Sequence, residues 1–272
     1  MEEFNPIELK KLFVPKHDSS KGDNGKLMII AGSILFHAAS IWPLEVSSKI
    51  VDMVYFSSVL MNNNIVQNDK NRFRNGIVIS RNNLEKYVQE ADCVLIGPGL
   101  PRDSGKEEQD DSTKDLTEKL LLNYPNKKWV VDGGSLQVIA PNILPKTSII
   151  TPNKKEFEML FSLSPTFENA IEMAKKYEIT ILLKGEQDIV ANKEKSVIIK
   201  GGNQGMTKGG TGDVLAGLTA SFYCKNETFL SAASASYINK QAGEKLYKTM
   251  GLYYNASDLA NEIPKVMKKL IL

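Results

Sequence analysis

The chain has 272 residues, 42% hydrophobic and 24% charged, which is the balance of an ordinary folded protein and excludes a disordered or fibrous one. Its 34 basic and 32 acidic residues leave a net charge of +2, so bulk electrostatics gives no reason to expect nucleic acid or an anionic membrane as a partner. Any anion site must be local.

The opening Met-Glu-Glu-Phe-Asn-Pro carries acids where a secretory leader carries bases, and no apolar run approaches the roughly 18 residues of a membrane span, so a cytoplasmic protein is expected. Residues 27–31 form a short apolar run closed by Gly32-Ser33, the pattern of a buried strand, and residues 41–51 have helical spacing. Strands are expected at 54–59, 76–80 and 93–96, with a helix at 84–91 before the turn Gly97-Pro98-Gly99. Residues 101–114 are charged and nearly devoid of apolar groups, and read as a mobile surface loop, either a solvated connector or a lid that orders over a ligand. A helix at 116–123 follows, then strands at 129–131, closed by Asp132-Gly133-Gly134, and at 148–150, closed by Thr151-Pro152-Asn153. A helix at 168–177 and a strand at 180–183 lead to runs 189–191 and 196–199, which flank the charged turn 192–195 and read as an antiparallel hairpin. Segments 214–223, 229–250 and 256–270 complete the helices.

This alternation predicts one α/β domain, a mostly parallel sheet with helices on both faces. Ligands gather at the carboxyl ends of such strands, and four unusual turns, after residues 31, 96, 131 and 150, fall there. They point to one shared cleft.

The most informative stretch is 201–213, Gly-Gly-Asn-Gln-Gly-Met-Thr-Lys-Gly-Gly-Thr-Gly-Asp, which runs directly into a helix. Gly209, Gly210 and Gly212 let the backbone turn where a Cβ would clash, so that successive N–H groups converge on phosphate oxygens, and the helix adds its positive end. Asp213 at the helix start is either a capping carboxylate or a general base beside a phosphate, and the two roles are compatible. Asn153 and Glu156 have the spacing of a capping box, and the same pair at a sheet's carboxyl edge can order a hydrated Mg2+. Lys184 ends a buried strand where a nucleotide phosphate can lie, or else is a solvated strand-end lysine. Asp132 is a further acid aimed at the cleft. Cys93 and Cys224 lie in apolar stretches and read as buried free thiols, while two histidines without clustered cysteines argue against zinc.

Taken in order, these pieces resemble the ribokinase-like superfamily and, within it, the ADP/ATP-dependent NAD(P)H-hydrate dehydratases. The resemblance rests on Lys21-Gly-Asp-Asn-Gly-Lys-Leu-Met-Ile-Ile-Ala-Gly-Ser33, Val94-Leu-Ile-Gly-Pro-Gly-Leu100, Ile150-Thr-Pro-Asn-Lys-Lys-Glu-Phe157, Leu183-Lys-Gly185 and the run 201–217, and spans residues 21–218. It implies a ribokinase-like fold and repair of the hydrated cofactors NADHX and NADPHX, whose ring hydroxyl is removed as water while ADP or ATP is consumed with Mg2+. By matching position it implies Asp213 as the catalytic base. Ala39, Gly99, Asn153 and Asp213 would meet the hydrated cofactor. Lys184, Gly185, Glu186, Gln187, Asp188, Gly209, Gly210, Thr211 and Gly212 would meet the adenine nucleotide, and Glu156 would hold Mg2+ through water. It further implies a homo-oligomer whose partners are small molecules. Asn153 stands where these dehydratases usually carry His, Pro101 replaces a frequent Gly, and Asp132-Gly-Gly-Ser-Leu136 replaces a more usual Asp-Ala-Asp-Ala-Leu. No residues are left over for the epimerase domain that many members carry, so dehydratase activity alone is expected. The alternatives are a small-molecule kinase of the same fold, acting on a hydroxymethyl group of a thiazole, pyrimidine or pyridoxine, and a nucleotide-binding regulator without turnover.

Overall fold

In the computed structural model, which describes residues 2–71, 74–102, 106–108 and 110–272, the apolar runs assemble into one nine-stranded sheet. Its strands are β1 (Lys26–Ile30), β2 (Met53–Ser57), β3 (Ile77–Val78), β4 (Cys93–Ile96), β5 (Lys128–Val131), β6 (Ser148–Ile150), β7 (Thr180–Leu183), β8 (Asp188–Ala191) and β9 (Ser196–Ile199). They lie in the order β3-β2-β1-β4-β5-β6-β7-β8-β9, parallel from β3 through β7, with β8 and β9 antiparallel as the sequence suggests. At the far edge Glu2 and Phe4 exchange backbone hydrogen bonds with Ile198, which covers β9.

The helices are α1 (Ala38–Ser47), α2 (Leu60–Asn68), α3 (Leu84–Glu90), α4 (Thr113–Asn123), α5 (Gly133–Leu136), α6 (Lys154–Phe161), α7 (Phe167–Tyr177), α8 (Thr211–Tyr223), α9 (Thr228–Met250) and α10 (Ala256–Ile271). Side chains alternate along each strand, so the sheet divides two cores. Leu27, Ile29, Leu95, Val130 and Leu182 face α1, α8, α9 and α10; Met28, Ile30, Val94, Ile96, Trp129 and Ile181 face α3 to α7. Burial on both faces explains why the central strands read as unbroken apolar runs, each fully buried Leu or Ile contributing roughly 1.5–3 kcal/mol. Among the described residues no helix is long and apolar enough to cross a membrane.

Two close approaches place the helices that matter for the site. At Gly217 in α8 a Cβ would meet Pro43 Cα of α1 at 2.7 Å, so the absent side chain lets the two backbones touch. Because β2 lies on one side of β1 and β4 on the other, the connections that leave the carboxyl ends of β1 and β4 diverge at a switch point. Gly32 N donates to Pro98 O across it at 2.7 Å.

Several expectations move. Helix α1 starts three residues early, at Ala38, and ends at Ser47, beyond which residues 48–51 close turns onto Leu44, Val46 and Ser47 carbonyls. Helix α2 has no counterpart in the reading because Asn62, Asn63 and Asn64 dilute its apolar signal, although Asn62 and Asn63 are buried. Gly133-Gly134 opens the short helix α5 instead of a plain turn. The loop expected at 101–114 overlaps α4, and its described end is anchored: Asp110, 7% exposed, accepts from Ile34 N at 3.0 Å, and Asp111 pairs with Arg81 Nε at 2.8 Å. Residues 103–105 and 109, which the lid idea also invokes, lie outside the described residues. The Lys21–Gly25 part of the motif sits at the amino end of β1, away from the cleft, where Gly22 and Asn24 amides donate to Asp52.

Candidate active site

The four turns converge as the sequence implies. Asp132, at the end of β5, accepts from Thr151 Oγ1 at 2.7 Å and from Lys184 Nζ at 2.8 Å, which joins the ends of β5, β6 and β7. Lys184 N donates to Pro152 O at 2.8 Å, and Glu156 Oε2 lies 3.8 Å from the Lys184 ammonium. Glu156 takes the position the sequence suggests: it completes a capping box in which Asn153 Oδ1 accepts from Glu156 N and Glu156 Oε2 accepts from Asn153 N. Its Oε1 also accepts from Gln137 Nε2 at 3.4 Å.

Asp213 stands on the first turn of α8 with no side-chain hydrogen bond among the described residues. Burial pushes its carboxyl up to about 7, the negative charges of Asp132 and Glu156 add to the rise, and Lys184 opposes it. Burial alone would lower the Lys184 pKa, yet Asp132 and Glu156, with Asp213 adding, hold it above the ordinary lysine range. Glu156 is raised by burial against the pull of Lys184. The result is one half-buried cation among three carboxylates, of which Asp213 is raised toward neutral pH.

The glycine-rich turn before α8 has a wall the sequence did not reveal. Gly210 caps α8 with φ +93°, and a Cβ there would collide with the Trp42 ring of α1, whose Nε1 donates to Ser257 Oγ at 3.1 Å. Thr211 Oγ1 is tied within the loop, donating to Met206 O at 2.6 Å with Lys208 O 2.9 Å away. The Gly212 and Asp213 amides have no acceptor among the described residues, so the helix end presents two donors with the dipole behind them. A Cβ on Gly212 would lie 3.4 Å from Lys184 Nζ, which fixes the carboxylate cluster beside this end.

A cavity of about 740 Å³ opens from there, within the usual range for a ligand pocket. Its walls include Lys184, Gly185, Glu186, Asp188, Thr211 and Gly212, six of the residues expected at the nucleotide, together with Met206, Asn239, Lys240 and Tyr247, which the sequence reading missed. Gln187, Gly209 and Gly210 are not on its wall, nor is Asp213, whose neighbours Gly212 and Lys184 are. Two of the residues expected at the nucleotide have partners of their own: the Asp188 carboxylate accepts from Gly185 N and Ser236 Oγ, and Lys184 donates to Asp132. Gly99 and Ala39, both expected at the hydrated cofactor, lie against each other: Gly99 has φ +64°, and a Cβ there would approach Ala39 Cβ to 2.5 Å. Among the described residues no three Asp, Glu, His or Cys side chains converge tightly enough to hold a metal ion by themselves.

Comparison with known proteins bears on the family and the fold. The profile of a family described as NAD(P)H-hydrate dehydratase matches residues 28–265. An ADP-dependent (S)-NAD(P)H-hydrate dehydratase from Nitrosopumilus maritimus is 33% identical over 96% of this chain and 95% of its own length. Another from Staphylococcus aureus is 30% identical over 99% of this chain and 97% of its own. A bifunctional NAD(P)H-hydrate repair enzyme from Methanocaldococcus jannaschii is 36% identical over 96% of this chain, but the chain spans only 52% of that protein. Among solved structures, the ADP/ATP-dependent NAD(P)H-hydrate dehydratase of Bacillus subtilis, co-crystallised with ATP/Mg2+, has the same fold, with a TM-score of 0.83 at 19% identity over 99% of this chain and 98% of that one.

Proposed function

The chain belongs to the NAD(P)H-hydrate dehydratase family, and from that premise we propose that it returns NADHX and NADPHX to NADH and NADPH at the expense of ADP or ATP. The observation that carries the reading is Asp213, lifted to about 7 and set beside the donor end of α8.

In the proposed reaction Asp213 takes the proton of the ring hydroxyl. The oxygen then attacks the terminal phosphorus of the nucleotide, the bond to the leaving phosphate oxygen breaks, and the shortened nucleotide departs. The Gly212 and Asp213 amides, with the dipole of α8, hold the charge on the transferring group. The ring phosphate is a far better leaving group than hydroxide; it departs, the neighbouring carbon gives up a proton, and the dihydronicotinamide double bond returns. Lys184 keeps Asp132 and Glu156 neutralised so that three acids can share the site.

The donor set suits Mg2+, being all hard oxygen, and Glu156 keeps acceptor capacity beyond its capping bonds. Among the described residues there is no cage of three protein ligands, so Mg2+ would arrive with the nucleotide, and Glu156 and Asp132 would accept from its waters. Bound in that way, Mg2+ supplies charge neutralisation for the phosphates. In this reading the hydrated ring would lie beside Ala39 and Gly99, which pack against each other, with Asn153 as a further contact. Cytoplasmic action suits the two buried free thiols, Cys93 and Cys224. Self-association would cover Leu60, Met61 and Ile65, which α2 leaves exposed.

The test is product identity. Protein, Mg2+, ADP or ATP and hydrated NADH should restore the nicotinamide absorbance, with one nucleotide cleaved per ring restored. A stable phosphorylated thiazole, pyrimidine or pyridoxine, with no recovery of NADH, would favour the small-molecule kinase instead.

A further inference from the structure

Lys240 lies in the middle of α9, a helix whose sequence gives no hint of a ligand site, yet the residue is 5% exposed. A buried ammonium needs partners, and this one donates to two carbonyls in the turn between β7 and β8, Gly185 O at 3.2 Å and Glu186 O at 3.0 Å, and pairs with Asp188 Oδ1, at the start of β8, at 3.3 Å. Asp188, 4% exposed, is fixed in turn by Gly185 N at 2.9 Å and by Ser236 Oγ, one helical turn before Lys240, at 2.7 Å. Helix α9 thus grips the turn through two side chains.

The grip has a consequence for the backbone. In a trans peptide the carbonyl and the following N–H point in opposite directions. Drawing the Gly185 and Glu186 carbonyls onto Lys240 therefore turns the Glu186 and Gln187 amides to the other side of the turn. Neither amide has an acceptor among the described residues; Gly185, Glu186, Gly212 and Lys240 itself share one cavity wall, and Gln187 follows Glu186 just off it. Two successive unpaired donors form a small anion-accepting concavity.

We propose that Lys240 is a positioning residue for the nucleotide: it holds the Gly185–Asp188 turn so that the Glu186 and Gln187 amides form a second donor cradle for a nucleoside diphosphate whose other donors are those at the start of α8. The proposal rests on the nucleotide-dependent reading above, but calorimetry with ADP and Mg2+ alone tests it without the hydrate. Lys240→Met, and the double variant Lys240→Met/Asp188→Asn, which leaves no unpaired charge, should both weaken ADP binding at least tenfold. Lys240→Arg should recover part of the loss. In the parent, amide hydrogen exchange at Glu186 and Gln187 should slow when ADP binds, and that protection should vanish in the folded variants. With hydrated NADH present, the KM for nucleotide should rise while the KM for the hydrate moves less than twofold. Unchanged ADP affinity in the folded double variant, no protection at Glu186 and Gln187 in the parent, or equal rises in both KM values would each overturn the assignment. Failure of NADH recovery with intact ADP binding would count against the dehydratase reading alone.

Discussion

Lys184 Nζ sits 2.8 Å from Asp132 Oδ1, and this ion pair sets the behaviour of a third residue, Asp213. Burial raises the Asp213 carboxyl; Asp132 and Glu156 raise it further, and Lys184 pulls it back to about 7. A general base must be ionised, so kcat/KM should rise with pH and level off above about 7. Asp132→Asn removes a negative neighbour and should move this limb to lower pH; Lys184→Met should move it higher. A pH–rate profile for the three proteins checks both directions, and a common limb would show that another group controls it.

The same shift acts on stability with a definite sign. Because the folded state holds the proton more tightly than the unfolded chain, the favourable contribution is complete below the ordinary aspartate pKa and is lost as pH rises through about 7. Asp213→Asn should therefore raise Tm at pH 8 and change it little at pH 4. The same variant should lose roughly 10²–10⁴-fold in turnover while its ADP affinity stays within about tenfold.

Gly209 and Gly210 are adjacent but should not be equivalent. A Cβ at Gly209 meets nothing within 4 Å, whereas at Gly210 it enters the Trp42 ring from a backbone at φ +93°. Gly210→Ala should cost about 2 kcal/mol and weaken nucleotide binding, while Gly209→Ala should stay within about 0.5 kcal/mol of the parent. Chemical denaturation of the pair provides the comparison.

At the proposed substrate contact, Gly99→Ala drives a methyl against Ala39 and toward Phe36 O, 2.9 Å from the ideal Cβ. The KM for the hydrate should rise by about tenfold or more, with ADP affinity held. Equal loss of both would mean that Gly99 serves packing alone.

Much of this was legible in the residues because the parallel strands are buried on both faces: β4, β6 and β7 match their apolar runs to the residue, and the Asn153–Glu156 spacing announced the capping box. What escaped was chemistry hidden in ordinary composition. Lys240 in a long helix looks like a solvated lysine, and only its place one turn after Ser236, on an Ala- and Ser-rich segment, separates it from one. Trp42 lies in a stretch with no partner visible in sequence, because its contact with Gly210 is made 168 residues further along the chain. Charge misled at residues 110 and 111, where two aspartates suggested solvent but tie the loop to Ile34 and Arg81. Lys184 suggested a phosphate ligand, yet its first partner is a buried carboxylate, a pairing set by tertiary contact between strand ends.

The central claim is that the ring hydroxyl activated by Asp213 becomes a phosphate ester before it leaves. NADHX whose hydroxyl carries a heavy oxygen isotope, turned over with ADP and Mg2+, should release inorganic phosphate containing one labelled oxygen per NADH formed. Unlabelled phosphate, with the isotope recovered in water, would contradict the account.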